Sequence, residues 1–303
     1  MVSRLLVRAS ESARLERLVS SNPLARGLAI RFVAGERLED GVRVANALAD
    51  DGLLISLDLV GEHVTDVDAA RAAADEQRAA VDAIGAGRLP AGISVKPSQL
   101  GSSFAPETCM ELLERLAKDA DKVGAHVTLD MEDSSTTETT VGLVEALHRA
   151  GQRHVGCAVQ AYLHRTPADL RRLSTLGASV RLCKGAYAEA PNIALQRNAH
   201  VDRAYRECAT MLLEHGTYPR FATHDHRIIG FVRREARRLG VTPDAYEFQM
   251  LYGVRPDLQQ RLVDIGEQVC VYVPFGDAWY AYFVRRLAER PANLLFLLRA
   301  LRG

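Results

Sequence analysis

Lysine is scarce in this sequence, and its few cysteines show no recognisable spacing. Four of the 38 basic side chains are lysines and the other 34 are arginines. Two of the four, Lys96 and Lys184, stand where short apolar runs end. The five cysteines show no C-x-x-C spacing, and no signal-peptide pattern stands at the start of the sequence. We therefore expect buried, reduced thiols in a cytoplasmic protein rather than disulfide bridges.

Other absences exclude whole classes of function. The formal net charge is zero and the arginines are interleaved with acids, so no basic surface for nucleic acid is expected. The sequence has no G-x-G-x-x-G after the first predicted strand, no P-loop and no G-x-S-x-G motif. These absences argue against a dinucleotide-binding Rossmann domain, an NTPase and a nucleophile-elbow hydrolase. His224 and His226 flank Asp225, but no second histidine pair accompanies them, and we predict no catalytic metal.

Long apolar runs are also missing. No run approaches the ~18 residues that a bilayer-spanning helix needs. The segment 293–302 is nevertheless strongly apolar on one side. We favour a role for it in capping the fold, and peripheral contact with a membrane surface or a partner is the alternative.

Short apolar runs alternate with amphipathic helical segments from residue 54 onward. Parallel strands joined by crossover helices suit this pattern, and eight units favour a closed (β/α)8 TIM-type barrel over an open doubly wound sheet. We predict one domain overall, with an N-terminal helical arm over residues 1–52 and the barrel over residues 53–303. The predicted strands are residues 54–60, 92–96, 126–130, 154–160, 179–184, 220–223, 246–251 and 269–274.

Polar side chains stand where these strands end. The segment 179–187 (SVRLCKGAY) is the richest, with Arg181 and Lys184 at the end of a buried run and Gly185 allowing a ligand to approach the backbone. Barrel enzymes place their sites at the carboxyl ends of the strands. We therefore expect one shared site built from strand-end residues, among them Glu62, Lys96, Asp130, Met131, Gln160, Arg181, Lys184, Thr223, His224 and Tyr272.

The last predicted helix adds two adjacent arginines, Arg285 and Arg286. Neighbouring residues point about 100° apart on a helix, so both reach one ligand only if the helix lies across the site. The alternative is a solvated face on which Arg285 pairs with Glu289, four residues on. Because arginine presents a rigid fork that suits a carboxylate, the sharper interpretation is a small anionic substrate.

Nine short motifs, one for each strand end and one for the last helix, occur together in a fixed order. They are residues 57–64 (LDLVGEHV), 95–101 (VKPSQLG), 129–134 (LDMEDS), 159–163 (VQAYL), 180–187 (VRLCKGAY), 221–224 (FATH), 246–253 (YEFQMLYG), 271–276 (VYVPFG) and 282–289 (YFVRRLAE). In this combination the sequence resembles the proline dehydrogenase family, flavoenzymes of a distorted (β/α)8 barrel. The resemblance runs from about residue 54 to residue 293.

The resemblance implies oxidation of L-proline to Δ1-pyrroline-5-carboxylate, the first step of proline catabolism. The hydride would pass to bound FAD, and the electrons would pass on to a membrane quinone. The aldehyde-dehydrogenase half of bifunctional relatives is absent at this length, so a separate pyrroline-5-carboxylate dehydrogenase is expected to consume the product.

The resemblance also implies a role for each matching residue. The substrate group holds the proline carboxylate and walls its ring, and comprises Lys96, Arg285, Arg286, Tyr272 and Tyr282. The catalytic pair is Asp130, near the amine, and Arg181, beside the reactive flavin ring. The FAD group is Met131, Gln160, Lys184, Gly185, Ala186, Thr223 and His224. Glu62 resembles the gate partner of Arg285.

Two other functions suit the same barrel. One is a Schiff-base enzyme that uses Lys184 or Lys96 as an amine nucleophile. The other is a barrel that binds an amino acid without chemistry. A flavin spectrum that proline bleaches without oxygen separates the dehydrogenase from both.

Overall fold

Eight parallel strands close into a barrel in sequence order. The computed structural model describes residues 31–61 and 64–289, and in the last helix it describes side chains as far as Val284. Each strand lies within one residue of its predicted bounds at either end, and the predicted (β/α)8 fold is confirmed. The strands are β1 (Leu54–Leu59), β2 (Ala91–Val95), β3 (Val127–Leu129), β4 (Val155–Gln160), β5 (Val180–Cys183), β6 (Arg220–Ala222), β7 (Glu247–Leu251) and β8 (Val269–Phe275).

Helices precede, separate and follow these strands in the described part of the chain. They are α1 (Leu38–Asp50), α2 (Val67–Gly87), α3 (Pro106–Lys122), α4 (Thr137–Arg149), α5 (Thr166–Leu176), α6 (Asn198–His215), α7 (His226–Leu239), α8 (Pro256–Asp264) and α9 (Trp279–Glu289). None of the helices in the described ranges is long and apolar enough to cross a bilayer. Short 3-10 helices at Pro97–Leu100 and Pro243–Ala245 were not predicted.

The two faces of each strand differ sharply in polarity. Side chains alternate along a strand, so every second residue points to the barrel interior. The outward set, represented by Leu57 in β1 and Val271 in β8, joins the apolar core that packs against the helices. The inward set is polar over much of its height. Arg181 of β5, for example, reaches across the interior to Ser94 of β2.

Helix α1 belongs to the predicted N-terminal arm and packs against β1 and β8, where the barrel closes. Its Val44 and Ala45 are buried in the barrel core. The part of the predicted arm before residue 31 lies outside the described residues, as does the apolar segment 293–302.

Helix α9 lies at the carboxyl end of the barrel. Its aromatic side chains belong to a buried group that we call the rim cluster, and the partly buried Leu251 and Tyr272 pack against that cluster. Leu251, the last residue of β7, and Tyr272 of β8 therefore pack against the same cluster to which the last helix contributes. The rim cluster comprises Phe32, Val33, Val60, Val254, Trp279, Tyr280, Tyr282, Phe283 and Val284.

Gly156 in β4 provides a test of the barrel packing. A Cβ at this position would lie 2.1 Å from the carbonyl oxygen of Ser179, which immediately precedes β5. Only backbone movement can relieve that clash, and we expect Gly156→Ala to lower the free energy of unfolding by about 1–3 kcal/mol.

Gly142→Ala is the matched control, because Gly142 lies within α4 and a Cβ there meets nothing within 4 Å. We expect that variant to gain up to about 1 kcal/mol, since alanine favours helix more than glycine does. Urea denaturation of both proteins measures the difference. Undiminished stability of Gly156→Ala would contradict the close approach of β4 and β5.

Candidate active site

A buried guanidinium lies inside the barrel. Arg181 is only 4% exposed, and its position in β5 points it inward. Its Nη1 donates to Asp130 Oδ1 at 2.5 Å, and its Nη2 donates to the hydroxyls of Ser94 at 2.8 Å and Ser56 at 3.2 Å. Its Nε donates to the side-chain oxygen of Gln249. All three nitrogens are thereby held, and the planar group has one orientation.

The charge of this guanidinium is secured by its partner. Burial is the largest single influence and lowers the pKa of Arg181, but attraction to Asp130, added to smaller attractions such as that of Tyr272, gives a net rise. Tyr272 donates its hydroxyl to Asp130 Oδ2 at 2.7 Å, and its ring centre lies 5.2 Å from the Arg181 Cζ. Burial and the Asp130 charge raise the pKa of Tyr272 well above its usual range, so its hydroxyl stays a donor.

Lys96, at the end of β2, extends the cluster toward β1. Its Nζ lies 2.7 Å from Asp58 Oδ1 and 3.9 Å from Asp130 Oδ2. Asp58 is fully buried, and its Oδ2 has no hydrogen-bond partner among the described residues. Burial raises the pKa of Asp58, attraction to Lys96 lowers it and repulsion by Asp130 raises it, for a net rise. The ammonium group is thus shared by two carboxylates of different exposure.

A second group of predicted residues follows β4, β5 and β6. Gln160 is 4% exposed and donates to the backbone oxygen of Glu132 at 2.7 Å. Lys184 is about one-third exposed, and its Nζ lies 2.6 Å from Asp202 and 3.4 Å from Asp225. The two residues therefore stand at the ends of neighbouring strands, and two acids beside the lysine fix its direction.

The loop after β6 positions two more predicted residues. The hydroxyl of Thr223 accepts from the Asp225 N–H at 3.1 Å. The backbone N–H of Leu251 donates to His224 Nε2 at 2.9 Å, which in the neutral ring puts the proton on Nδ1. Nε2 is therefore engaged by the protein. No cluster of three or more histidine, cysteine or acidic side chains able to hold a metal ion occurs in the described ranges.

Gly185 gives the chain an open turn beside β5. Its φ of +110° is one that side chains disfavour, and a Cβ there would lie 2.1 Å from the ring of Tyr162. Tyr162 itself is 6% exposed and packs against Leu163 and Ala194. Only glycine fits here, because the missing side chain lets the Tyr162 ring pack against the backbone.

The remaining predicted residues fall into three groups. Met131 is buried beyond β3, and Ala186 is exposed in the β5–α6 loop. Tyr282 of α9 is buried in the rim cluster, with which Tyr272 is in contact. Glu62 and the side chains of Arg285 and Arg286 lie outside the described residues.

Sequence analysis missed part of the cluster, namely Ser56, Asp58, Ser94 and the acid Glu247 at the start of β7. The signal that could have identified them is the two-residue alternation of side chains along a strand. Ser56 and Asp58 alternate with apolar residues in β1, and Ser94 lies two residues before Lys96, on the same face. In the sheet, Asp58 pairs directly with Ser94. A polar residue that lies an even number of positions before a charged residue at the strand end therefore indicates which face points inward.

Fold and site together define a class of protein. A closed parallel barrel whose strands end in buried, hydrogen-bonded charges is the arrangement of (β/α)8-barrel enzymes, whose sites are built at this end. The family model described as proline dehydrogenase matches residues 42–299 of this chain.

Individual proteins give the same family. The chain is 37% identical over 278 residues to a proline dehydrogenase of Deinococcus radiodurans, covering 90% of each protein. It is 34% identical over 271 residues to proline dehydrogenase 1 of Bacillus subtilis strain 168, covering 89% of each. The chain belongs to the proline dehydrogenase family and is an oxidoreductase.

A crystal structure gives the same fold. The structure of proline utilization A (PutA) from Bdellovibrio bacteriovorus, inactivated by N-propargylglycine, superposes with a TM-score of 0.82 at 25% identity. The superposition covers 88% of this chain and 33% of the longer protein. The present chain thus corresponds to about one-third of that relative.

Two acids, the buried Asp58 and the partly exposed Asp119, are expected to respond to pH in opposite ways. The pKa of Asp58 is raised above 3.8 by burial, and that of Asp119 is lowered below 3.8 chiefly by hydrogen bonding to Lys122. In the wild-type protein, the contribution of Asp58 to folding stability is therefore lost as pH rises above its pKa in the unfolded state. The contribution of Asp119 is lost as pH falls below its pKa in the unfolded state.

We expect the stability of Asp58→Asn, relative to wild type, to increase as pH rises, and that of Asp119→Asn to decrease. Urea denaturation between about pH 3 and pH 7 measures both differences. Parallel pH profiles for the two variants would contradict the assignment of Asp58 as a carboxyl group whose ionisation opposes folding.

Proposed function

We propose that this protein oxidises L-proline to Δ1-pyrroline-5-carboxylate with FAD as the hydride acceptor. Family membership supports the proposal, and the Lys96–Asp130–Arg181 cluster is the structural observation that carries it. Proline is a zwitterion at neutral pH, so its site must meet a carboxylate and a charged nitrogen only a few ångströms apart. The cluster offers cations and a carboxylate at that separation, with Lys96 Nζ 3.9 Å from Asp130 Oδ2.

The residues around β4, β5 and β6 fit a flavin. Gly185 has no side chain and would let a flat ligand approach the backbone, while Lys184 and His224 would supply donors for carbonyl and phosphate oxygens. FAD supplies two-electron chemistry to such a site, since its ring accepts a hydride. The residues that would hold it are Met131, Gln160, Lys184, Gly185, Ala186, Thr223 and His224.

The substrate would lie between the cluster and α9. Lys96, Arg285 and Arg286 would bind the carboxylate, because a cation and two guanidinium forks match its charge and geometry. Tyr272 and Tyr282 would wall the apolar ring, consistent with contact between Tyr272 and the rim cluster. Glu62 would act as a gate by pairing with Arg285.

Asp130 and Arg181 would carry the catalytic roles. Arg181 presents a fixed positive charge, which stabilises electron density gained by a neighbouring cofactor without reorganisation during the reaction. Asp130 holds that charge in place and offsets positive charge near the substrate nitrogen. The chemistry removes a hydride from the ring carbon next to nitrogen and a proton from the nitrogen, and orientation of that C–H bond is the protein's principal task.

Turnover requires a second half-reaction. We propose that the electrons pass to a quinone, and that peripheral contact with a membrane brings the two together. Δ1-Pyrroline-5-carboxylate would then be consumed by a pyrroline-5-carboxylate dehydrogenase.

The surroundings of Lys96 and Lys184 do not favour Schiff-base chemistry. A Schiff-base lysine is activated by apolar surroundings or by another cation. Lys96 instead has Asp58 at 2.7 Å and Asp130 at 3.9 Å, and Lys184 has acids at 2.6 and 3.4 Å.

The visible spectrum of the purified protein tests the proposed function. We expect flavin absorption that disappears when L-proline is added without oxygen and returns with a quinone analogue. A colourless protein that borohydride traps with a carbonyl substrate would support the Schiff-base enzyme. Proline binding without bleaching would support the non-catalytic barrel, and either result would overturn the dehydrogenase.

Asp130→Ala separates catalysis from cofactor binding. Loss of the carboxylate removes acceptors from both Arg181 and Tyr272, so we expect FAD to remain bound while kcat falls about 100-fold, as misplacement of catalytic groups by about 1 Å does. Asp133→Ala is the control, because Asp133 is exposed on the same loop and bonds to Ser135 rather than to the cluster. Stopped-flow flavin reduction measures both, and wild-type rates in Asp130→Ala would remove Asp130 from the mechanism.

A further inference from the structure

A line of side-chain hydrogen bonds runs through the barrel from its amino-terminal end to Asp130. Glu247 and Gln249 are two residues apart in β7, so both point inward. Gln249 Nε2 donates to Glu247 Oε1 at 2.5 Å, and Gln249 Oε1 accepts from Arg181 Nε. Arg181 Nη1 then donates to Asp130 Oδ1 at 2.5 Å. Glu247 is thus linked to the Arg181 guanidinium through a single amide.

The direction of these bonds is set by what each group can do. Arginine only donates, so Gln249 must present its oxygen to Arg181. An ionised carboxylate only accepts, so Glu247 draws the amide NH2 toward itself. With the amide rotated by half a turn, NH2 would face the Arg181 Nε–H and oxygen would face oxygen. Both contacts would be repulsive, and Glu247 therefore selects the amide orientation that Arg181 needs.

Glu247 is itself firmly held at the amino-terminal end of the barrel. It is 4% exposed, and the Tyr218 hydroxyl lies 3.1 Å from its Oε2 and 2.7 Å from Gln268 Oε1, so these two acceptors share one proton. Arg220 Nε lies 3.7 Å from Oε1 and supplies the opposite charge. Arg220 is fixed in turn by donating to Thr128 Oγ1 at 2.8 Å. The carboxylate is therefore anchored by side chains of neighbouring elements and cannot follow small movements of Gln249.

We propose that Glu247 is a positioning residue for Arg181, acting through Gln249 from the opposite end of the barrel from the substrate. The inference rests on the proposed function, because it gives the aligned guanidinium its role beside the flavin. A cavity of about 240 Å³ that Glu247, Gln249, Arg220 and Ser56 help to line lies beneath this contact. Arg181 is thus held from the amino-terminal end of the barrel by side chains that lie away from the proposed proline and flavin sites.

The sign of a shift in flavin potential distinguishes this role from a simple charge effect. In Glu247→Gln the new amide can donate or accept, so Arg181 alone favours the orientation of Gln249 and the alignment is less tightly enforced. Loss of alignment weakens the stabilisation of reduced flavin by Arg181 and makes the potential more negative. Removal of a negative charge acting only through space would make it more positive.

Glu267→Gln is a closely matched control. Glu267 is 8% exposed, accepts from the Tyr246 hydroxyl at 2.8 Å and pairs with Arg233, so it too is a buried acid held by a tyrosine and an arginine. It has no described bond to Gln249 or Arg181. The Glu267→Gln variant therefore measures the general effect of removing a buried carboxylate.

The experiment measures the midpoint potential of bound FAD, kcat and KM for proline in the holoenzymes. For Glu247→Gln we expect a more negative potential, a fall in kcat on the order of 10-fold and less than about a twofold change in KM. Glu267→Gln should change none of these. An unchanged or more positive potential in Glu247→Gln would overturn the proposal.

Tyr218→Phe keeps the test decisive if Glu247→Gln fails to fold. It removes one donor to Glu247 and should shift the potential in the same direction by less, and an unchanged potential would again count against the proposal. Failure of the proposed function would appear separately, as wild-type protein whose flavin is absent or is not bleached by proline.

Discussion

A positive charge buried at the centre of the barrel imposes the main constraint on this molecule. A guanidinium removed from water is costly unless a carboxylate and further hydrogen-bond acceptors surround it. Asp130 supplies the charge, while Ser56, Ser94 and Gln249 supply the acceptors. These partners come from strands β1, β2 and β7 and from the end of β3. One side chain on β5 therefore determines which polar residues four other parts of the barrel must supply. Stability and chemistry depend on the same contacts.

The polar interior is tolerable because the other face of the sheet supplies the hydrophobic stabilisation. Outward residues such as Val159 and Phe248 are buried under the helices, as are inward-facing helix residues such as Leu113. A TIM barrel usually fills its interior with branched apolar side chains. Here the interior is given largely to charged and hydroxyl side chains, and the network that pairs most of these groups favours one arrangement over several.

The sequence pattern alone predicted the barrel. The periods of two residues in strands and 3.6 residues in helices are visible in the residue order, and eight strand–helix alternations are compatible with few topologies. It also placed Lys96, Asp130 and Arg181 at strand ends. It did not identify Asp58 or Glu247 as partners, since pairing across the interior depends on register between distant strands. Asp58 pairs with Ser94 through the β1–β2 register, and Arg181 reaches Gln249 past the intervening β6. Those neighbours exist only once the barrel closes.

Closure of the barrel also has a consequence for biosynthesis. Strand β1 completes its hydrogen bonding on one side with β8, where Leu54 pairs with Cys270. The ribosome therefore releases nearly the whole barrel before β1 gains that neighbour, and its edge stays open during translation. Open edges and long-range pairing both slow folding and expose nascent chains to aggregation. Helix α1, made just before β1 and packed across the same seam, is placed to shield that strand while the polypeptide is still growing.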